Sequence, residues 1–234
     1  RETHGLMNYP FRAAALAWLR GGDASAFRRD MEEIRENYPP AAFYSGLNIL
    51  GTHDTPRLLT MLGAARTPES KDDRAAYRLS PAQRQIGLER LRLAALILFT
   101  FPGAPTVYYG DEAAMEGWED PFNRAGYPWA QEDTDLKAHF AELARFRRSF
   151  PALQAGVLHW IWTSGPLLIF ARELDGQLLT TVVNAADVSQ ALSLPWSAPP
   201  ARDLLTGQRF IPTDNAIPLT LPPRSGGLLQ TDLP

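Results

Sequence analysis

The stretch Asn48-Ile-Leu-Gly-Thr-His-Asp-Thr-Pro-Arg57 places an imidazole next to a carboxylate where an apolar run gives way to a helix start. The run has the length of a strand, Gly51 allows the backbone to turn, and Thr55-Pro56 is typical of a helix N-cap followed by proline. In parallel α/β folds, reactive side chains gather at the carboxyl ends of strands. We therefore expect His53 and Asp54 to lie in a functional loop between a strand and a helix.

A simpler interpretation of the same residues has to be weighed against this one. Aspartate is a preferred N-cap, so Asp54 could serve only to begin the helix, with His53 as an ordinary loop residue. A second stretch favours the functional interpretation, because residues 101–112 again run from a turn through a short β-prone segment to paired acids. We expect the β-prone segment, Thr106 to Tyr109, to be a strand.

Three further motifs extend this arrangement along the chain. They are Met7-Asn-Tyr-Pro-Phe11, Asp120-Pro-Phe-Asn-Arg124 and Pro128-Trp129. Together with the two stretches above, they resemble the α-amylase superfamily of glycoside hydrolases, and within it the branch of neopullulanase, cyclomaltodextrinase and maltogenic amylase. The motifs occur in the family's order over positions 1 to about 150, and such a series is a specific signal.

The first 150 residues predict three strand–helix units, which begin at about residues 5, 47 and 106. The resemblance identifies these units as the sixth to eighth of a (β/α)8 TIM barrel, a fold that needs eight units and about 250 residues. From residue 151 onward, short β-prone segments alternate with turns, and Asp175-Gly176 is a hairpin signal. We expect an α/β chain, with the C-terminal part of the barrel over residues 1–150 and an antiparallel β-sandwich domain over residues 151–234.

Individual helices can also be predicted. Ser80-Pro81 should open the strongest helix, which has a long apolar side and ends before the turn at Pro102. A helix is expected directly after Thr55, and another should run to about Arg148. Residues 63–80 contain many charges, a glycine and a proline, and are expected to form a surface loop or lid.

A barrel made of three parallel strands cannot close. Each open edge would leave unpaired backbone groups and apolar faces in water. The chain also opens on Arg1, without an initiating methionine or a signal-peptide pattern. We therefore expect this chain to be the C-terminal portion of an enzyme and the N-terminal remainder of the same enzyme to be its partner in the barrel.

The resemblance implies an α-glucan hydrolase that cleaves α-1,4 bonds, with α-1,6 bonds as an open alternative, in maltodextrins, cyclodextrins or pullulan. The mechanism would retain the anomeric configuration, which requires a nucleophilic carboxylate and a carboxylic acid that flank the scissile bond. In the family, that nucleophilic aspartate and that acidic glutamate follow the fourth and fifth strands, upstream of Arg1. We therefore expect this chain to be inactive by itself.

By resemblance, Asp54 is the third carboxylate of the family, which stabilises the transition state, and His53 donates hydrogen bonds to the glucose ring being cleaved. Asp120 and Arg124 match the loop residues that bind the next glucose on the non-reducing side. Arg57 completes the expected substrate-binding set. The alternative for Asp120 and Arg124 is a simple salt bridge within the loop.

Two other function classes remain open at this point. One is a non-catalytic scaffold that keeps the amylase fold, although retained sugar-binding polar groups would bring such a scaffold no benefit. The other is a glucosyl transferase or isomerase of the same superfamily, in which a sugar rather than water attacks the intermediate.

Composition excludes several other functions. The 234 residues carry a formal net charge of -3, with 45% hydrophobic and 21% charged residues, which is ordinary for a soluble globular protein. The chain contains no basic patch for nucleic acid, no apolar stretch long enough for a membrane span and no cysteine for disulfides or thiolate metal sites. We expect no cofactor, except that the missing upstream part could hold calcium. A homodimer is possible, and localisation is open, with the cytoplasm favoured only by analogy.

Overall fold

The computed structural model describes residues 6–231 of the chain. Its first region contains three short parallel strands in the order β1, β2, β3, and helices follow each strand along the chain. The elements are β1 (Met7–Asn8), α1 (Tyr9–Leu19), α2 (Ala24–Asn37), α3 (Pro40–Ser45), β2 (Leu47–Ile49), α4 (Leu58–Gly63), α5 (Lys71–Ala76), α6 (Pro81–Thr100), β3 (Ala104–Thr106), a 3-10 turn (Phe122–Arg124), α7 (Thr134–Ser149) and α8 (Pro151–Ala155).

Asparagine side chains tie the three parallel strands together. The Asn8 amide donates to the side-chain oxygen of Asn48 over 3.1 Å, and the Asn48 amide donates to the carbonyl of Pro102 over 2.7 Å. Asn8 also caps α1, since its side chain accepts from the backbone N–H of Phe11. Because Asn48 is buried, this chain of bonds satisfies polar groups that would otherwise destabilise the sheet.

The helix predicted from Ser80-Pro81 is confirmed as α6. Ser80 and Gln83 form a reciprocal capping box, so two backbone N–H groups that have no partner within the helix are satisfied at its start. The C-terminal half of α6 is buried, and the helix as a whole packs against α4, α7 and the β-domain. The helix predicted to run to about Arg148 is confirmed as α7, which ends at Ser149.

The second region is antiparallel. Six strands form one sheet in the order β4-β5-β6-β11-β8-β9, and two strands, β7 and β10, pair separately. The strands are β4 (Val157–Ser164), β5 (Leu167–Leu174), β6 (Gln177–Asn184), β7 (Gln190–Pro195), β8 (Ala201–Asp203), β9 (Arg209–Phe210), β10 (Ala216–Leu221) and β11 (Ser225–Thr231). The predicted hairpin turn is confirmed between β5 and β6, where Asp175 and Gly176 have φ of 49° and 80°, as a two-residue turn of type I′ requires.

Aromatic rings and one buried arginine join the two regions. Phe101, at the end of α6, contacts Trp160 of β4 and Phe170 of β5, with ring centroids 5.8 Å and 5.6 Å apart. Arg172 donates to the carbonyls of Gly156 and Thr100, and burial lowers its pKa to about 9. The β-domain therefore packs directly on the helix that precedes the eighth strand of the predicted barrel. The predicted boundary between residues 150 and 151 falls between α7 and α8 and stays a prediction.

Several predicted element boundaries were wrong. The strand expected over Thr106 to Tyr109 lies at Ala104–Thr106, because pairing begins immediately after the turn, with the Ala104 N–H bonded to the Gly46 carbonyl. Residues 63–80 are not all loop, since they contain α5, and α3 after Pro39 was missed. The part of the first predicted unit before residue 6 lies outside the described residues.

The helix expected directly after Thr55 begins instead at Leu58. The Arg57 N–H donates to the Gly117 carbonyl, and the hydroxyl of Thr55 bonds back to the carbonyl of Thr52. These two bonds hold residues 52–57 in a non-helical turn. The loop after β2 is therefore longer than the sequence suggested.

Candidate active site

His53 and Asp54 lie in the turn that follows β2, as expected. The His53 Nε2 is 3.2 Å from the Asp54 carboxylate, and both side chains are more than half exposed. The Asp54 backbone N–H donates to the Thr52 hydroxyl, which fixes the turn. The simpler interpretation, in which Asp54 only caps a helix, is wrong, because α4 begins four residues later and lacks a side-chain cap.

Asn123 clamps this turn from the opposite loop. Its fully buried side-chain amide donates to the carbonyls of His53 and Thr55, over 2.7 Å and 2.8 Å. Sequence reasoning missed this residue, although it lies inside the motif that carries Asp120 and Arg124. These two bonds set the position of the turn relative to the loop after β3.

Arg124 brings the two loops into electrostatic contact. Its Nη2 is 3.9 Å from the Asp54 carboxylate, and its Nε is 3.3 Å from the Asp120 carboxylate. All three side chains are between 45% and 62% exposed, so water screens these pairs. The structure therefore gathers four of the predicted site residues in one open cluster, whose members are His53, Asp54, Asp120 and Arg124.

Arg57 differs from these four residues, because its burial does not fit the predicted contact with substrate. The residue is 1% exposed, and its guanidinium donates to the carbonyl of Tyr109. The same guanidinium lies 4.4 Å and 4.5 Å from the ring centroids of Tyr108 and Tyr109, within cation–π distance. In this structure Arg57 joins the loop after β2 to the turn after β3, and its predicted contact with substrate stays a prediction.

Asp111 lies beneath the same junction and is also buried. Its Oδ1 is 3.7 Å from the Arg57 Nη1, which is too long for a hydrogen bond. Burial raises the pKa of Asp111 to about 7, and the charge of Arg57 opposes that rise. Gly51 is required above it, since a Cβ atom there would lie 2.0 Å from the carboxylate oxygen.

This geometry permits a limited chemistry. One exposed carboxylate, Asp54, is flanked by an imidazole and a guanidinium, so the cluster can stabilise a developing positive charge and bind hydroxyl groups. Within residues 6–231, no group of three or more His, Cys, Asp or Glu residues could hold a metal ion. Over the same residues, no helix is both long and apolar enough to cross a bilayer.

Comparison with known proteins adds independent information. Residues 2–150 match the family model described as the α-amylase catalytic domain, and residues 164–227 match the one described as the C-terminal domain of maltogenic amylase. An amylopullulanase from Thermoanaerobacter thermohydrosulfuricus is 29% identical over 98% of this chain and 17% of its own length. Neopullulanase 2 from Thermoactinomyces vulgaris is 30% identical over 97% of this chain and 37% of its own length.

Solved structures of two similar proteins also match nearly the whole of this chain. The debranching enzyme from Nostoc punctiforme superposes with a TM-score of 0.75 and 27% identity, over 97% of this chain and 46% of that protein. A cyclomaltodextrinase superposes with a TM-score of 0.81 and 25% identity, over 97% of this chain and 37% of that protein. The chain spans less than half the length of each of these relatives.

Proposed function

Because this chain belongs to the α-amylase family, we propose that it is the C-terminal portion of an α-glucan hydrolase. The substrates would be maltodextrins, cyclodextrins or pullulan, cleaved at α-1,4 bonds and, in the alternative, at α-1,6 bonds. Relatives named amylopullulanase, neopullulanase and cyclomaltodextrinase support this substrate class. The observation that carries the proposal is the open cluster around Asp54, where one carboxylate lies between His53 and Arg124.

In this proposal, Asp54 stabilises the oxocarbenium-like transition state at the glucose ring being cleaved. A carboxylate placed where positive charge develops acts without any reorganisation during the reaction. His53 donates a hydrogen bond to the same ring. Arg124 and Asp120 bind hydroxyl groups of the next glucose on the non-reducing side, and the guanidinium can bridge two oxygens at once.

A retaining mechanism also needs a nucleophile and an acid about 5 Å apart, and we propose that the N-terminal remainder of the barrel supplies both. The paired acids after β3 are poor substitutes. Asp111 is buried, and the Glu112 carboxylate accepts a hydrogen bond from the Gly110 backbone N–H. We call this chain together with that N-terminal remainder the complete enzyme. The chain alone is expected to be inactive.

The test compares the purified chain with the complete enzyme. Release of reducing sugar from maltodextrin, cyclodextrin and pullulan is measured for both. Cleavage by the complete enzyme only is the expected result, and chromatography of the products separates hydrolysis from glucosyl transfer. Cleavage by the chain alone would overturn the proposed division of roles, and a complete enzyme that is inactive on all three glucans would overturn the function.

A further inference from the structure

The turn that carries Asp54 has only long hydrogen bonds of its own. They join the backbone and hydroxyl groups of Thr52 and Thr55 and the Asp54 N–H, over 3.2 to 3.4 Å. Such lengths lie at or beyond the upper end of the usual range. The Asp54 side chain is 59% exposed, and within residues 6–231 its charged partners are His53 at 3.2 Å and Arg124 at 3.9 Å. Bonds from elsewhere must therefore fix the place of this carboxylate.

Asn123 supplies the shortest hydrogen bonds that residues 52–55 receive. Its side-chain amide donates to the His53 carbonyl over 2.7 Å and to the Thr55 carbonyl over 2.8 Å. These carbonyls belong to the residues immediately before and after Asp54, so the amide holds the backbone on both sides of the carboxylate. The Asn123 side chain is 0% exposed and has no surface for a substrate. Any effect of Asn123 on the reaction must therefore pass through this turn.

The 3-10 turn that carries Asn123 is itself held in place. Within it, the Arg124 N–H donates to the Pro121 carbonyl over 3.1 Å. Gly117 packs so closely against this turn that a Cβ atom there would lie 2.2 Å from the carbonyl oxygen of Phe122. The two amide donors of Asn123 are thus oriented before any substrate binds, which is what preorganisation of a site requires.

A second fully buried asparagine, Asn184 in the β-domain, provides a comparison. Asn184 donates to three backbone carbonyls, and its Oδ1 accepts from the Ala186 N–H, so both ends of its amide have partners. The Oδ1 of Asn123 is also buried, but none of the residues that the structure describes donates to it. A buried oxygen without a partner costs stability. Stability alone therefore does not account for Asn123, whereas its two donors serve the turn that carries Asp54.

We infer that Asn123 is a positioning residue for the reaction and keeps the Asp54 carboxylate at the glucose ring through its two bonds to the turn. The inference rests on the proposed function, because that function gives Asp54 its role. A misplacement of about 1 Å in a catalytic group can cost on the order of 100-fold in rate. Asn123 therefore acts on the chemical step rather than on affinity for the substrate.

Kinetics of the complete enzyme on maltodextrin test this role. Asn123→Ala removes both donors, so kcat should fall roughly 10- to 100-fold as Asp54 leaves its place. KM should stay within about twofold of its original value, because the lost interaction acts in the transition state and Asn123 does not touch the substrate. Asn123→Leu is the second variant, since it keeps a branched side chain in the core and also lacks both donors. Its kcat should fall in the same way.

Asn184→Ala is the matched control for a general loss of stability. It also removes a fully buried amide with several hydrogen bonds, but in the β-domain. It should lower the unfolding temperature at least as much as Asn123→Ala and leave kcat and KM unchanged at temperatures well below unfolding. A kcat loss in Asn184→Ala as large as that in Asn123→Ala would overturn the inference, as would a raised KM with unchanged kcat in the two Asn123 variants.

A double-mutant cycle with Asp54→Asn tests whether Asn123 acts through Asp54. Once the carboxylate is absent, its position no longer matters, so Asn123→Leu should lower kcat further by no more than about twofold. An equal loss in both backgrounds would show that Asn123 acts independently of Asp54, and the inference would be wrong.

A complete enzyme that cleaves none of the glucans would contradict the proposed function, and amide hydrogen exchange would then judge the hold of Asn123 on the turn. Exchange over residues 52–57 should be faster in Asn123→Ala than in the unmodified enzyme, and unchanged in Asn184→Ala. Equal exchange in all three proteins would overturn the positioning by Asn123 independently of any activity.

Discussion

Two carboxylate–guanidinium pairs lie close together in this protein and differ mainly in their access to water. Asp54 and Arg124 are 3.9 Å apart and about half exposed, whereas Arg57 and Asp111 are 3.7 Å apart and almost fully buried. An exposed pair contributes little to stability, and its charges stay available to a substrate. A buried pair has lost its hydration, so removal of Arg57 leaves the Tyr109 carbonyl without its donor and a cavity where the guanidinium packed. The exposed pair of Asp54 and Arg124 is thus suited to bind a substrate, whereas the buried pair of Arg57 and Asp111 is suited to hold the loops together.

The buried pair should hold the site together. Arg57 connects to the loop after β3 through Gly117, Tyr109 and Asp111, whereas the contacts of Arg124 are open to solvent. We expect Arg57→Ala to lower the free energy of unfolding of the complete enzyme by about 2–5 kcal/mol, because a large buried side chain and its hydrogen bond are lost. The matched variant Arg124→Ala should lower it by no more than about 1 kcal/mol. Urea unfolding measures both, and equal losses would show that burial does not distinguish the pairs.

The close approach of Gly51 to the Asp111 carboxylate provides a second test of the difference between the buried pair and the exposed pair. Gly51→Ala forces a Cβ atom to within 2.0 Å of a carboxylate that cannot move into solvent. Overpacking of this kind costs roughly 1–3 kcal/mol. Gly126→Ala is the control, because a Cβ atom there meets nothing within 4 Å and should change stability by less than about 0.5 kcal/mol. A Gly51→Ala variant as stable as the control would mean that the Asp111 carboxylate is not confined.

The pH dependence of stability should reveal the buried acid. In the folded state Asp111 keeps its proton up to about pH 7, whereas the unfolded chain releases it near the ordinary value of 3.8. The folded state therefore binds more protons between these values, so this carboxyl stabilises the protein at low pH and its contribution is lost as pH rises toward 7.

Asp111→Asn removes that titration. Between about pH 4 and about pH 7, the unfolding temperature of the unmodified enzyme should fall relative to that of the variant, by roughly 1 °C for each kcal/mol lost in an enzyme about twice the length of this chain. Calorimetric scans across this range measure the difference. A constant offset between the two proteins would contradict the raised pKa of Asp111.

Much of the fold was predictable from local signals. The motifs predicted the α-amylase superfamily, its cyclomaltodextrinase and neopullulanase branch, and a partial barrel followed by a β-domain, and the comparisons confirm these predictions. The α6 helix and the hairpin at Asp175 were also predictable, because a capping box and a two-residue turn are encoded by neighbouring residues.

The failures arose where distant residues decide local structure. The start of α4 depends on a bond from Arg57 to Gly117, sixty residues away, which no local pattern reveals. The burial of Arg57 has the same origin, since its partners all follow β3. In the site, the pair His53 and Asp54 was visible in the sequence, but the clamp from Asn123 acts across a separation of about seventy residues. The roles of the site residues remain predictions.

The most direct test of the account is the replacement Asp54→Asn in the complete enzyme. The variant keeps the size of the side chain and removes its charge at an exposed position, so the unfolding temperature should stay nearly unchanged. Turnover of maltodextrin should fall by at least about 100-fold, because a preorganised charge at the transition state is lost. Unchanged turnover would contradict the account and favour a scaffold that keeps the amylase fold without its chemistry.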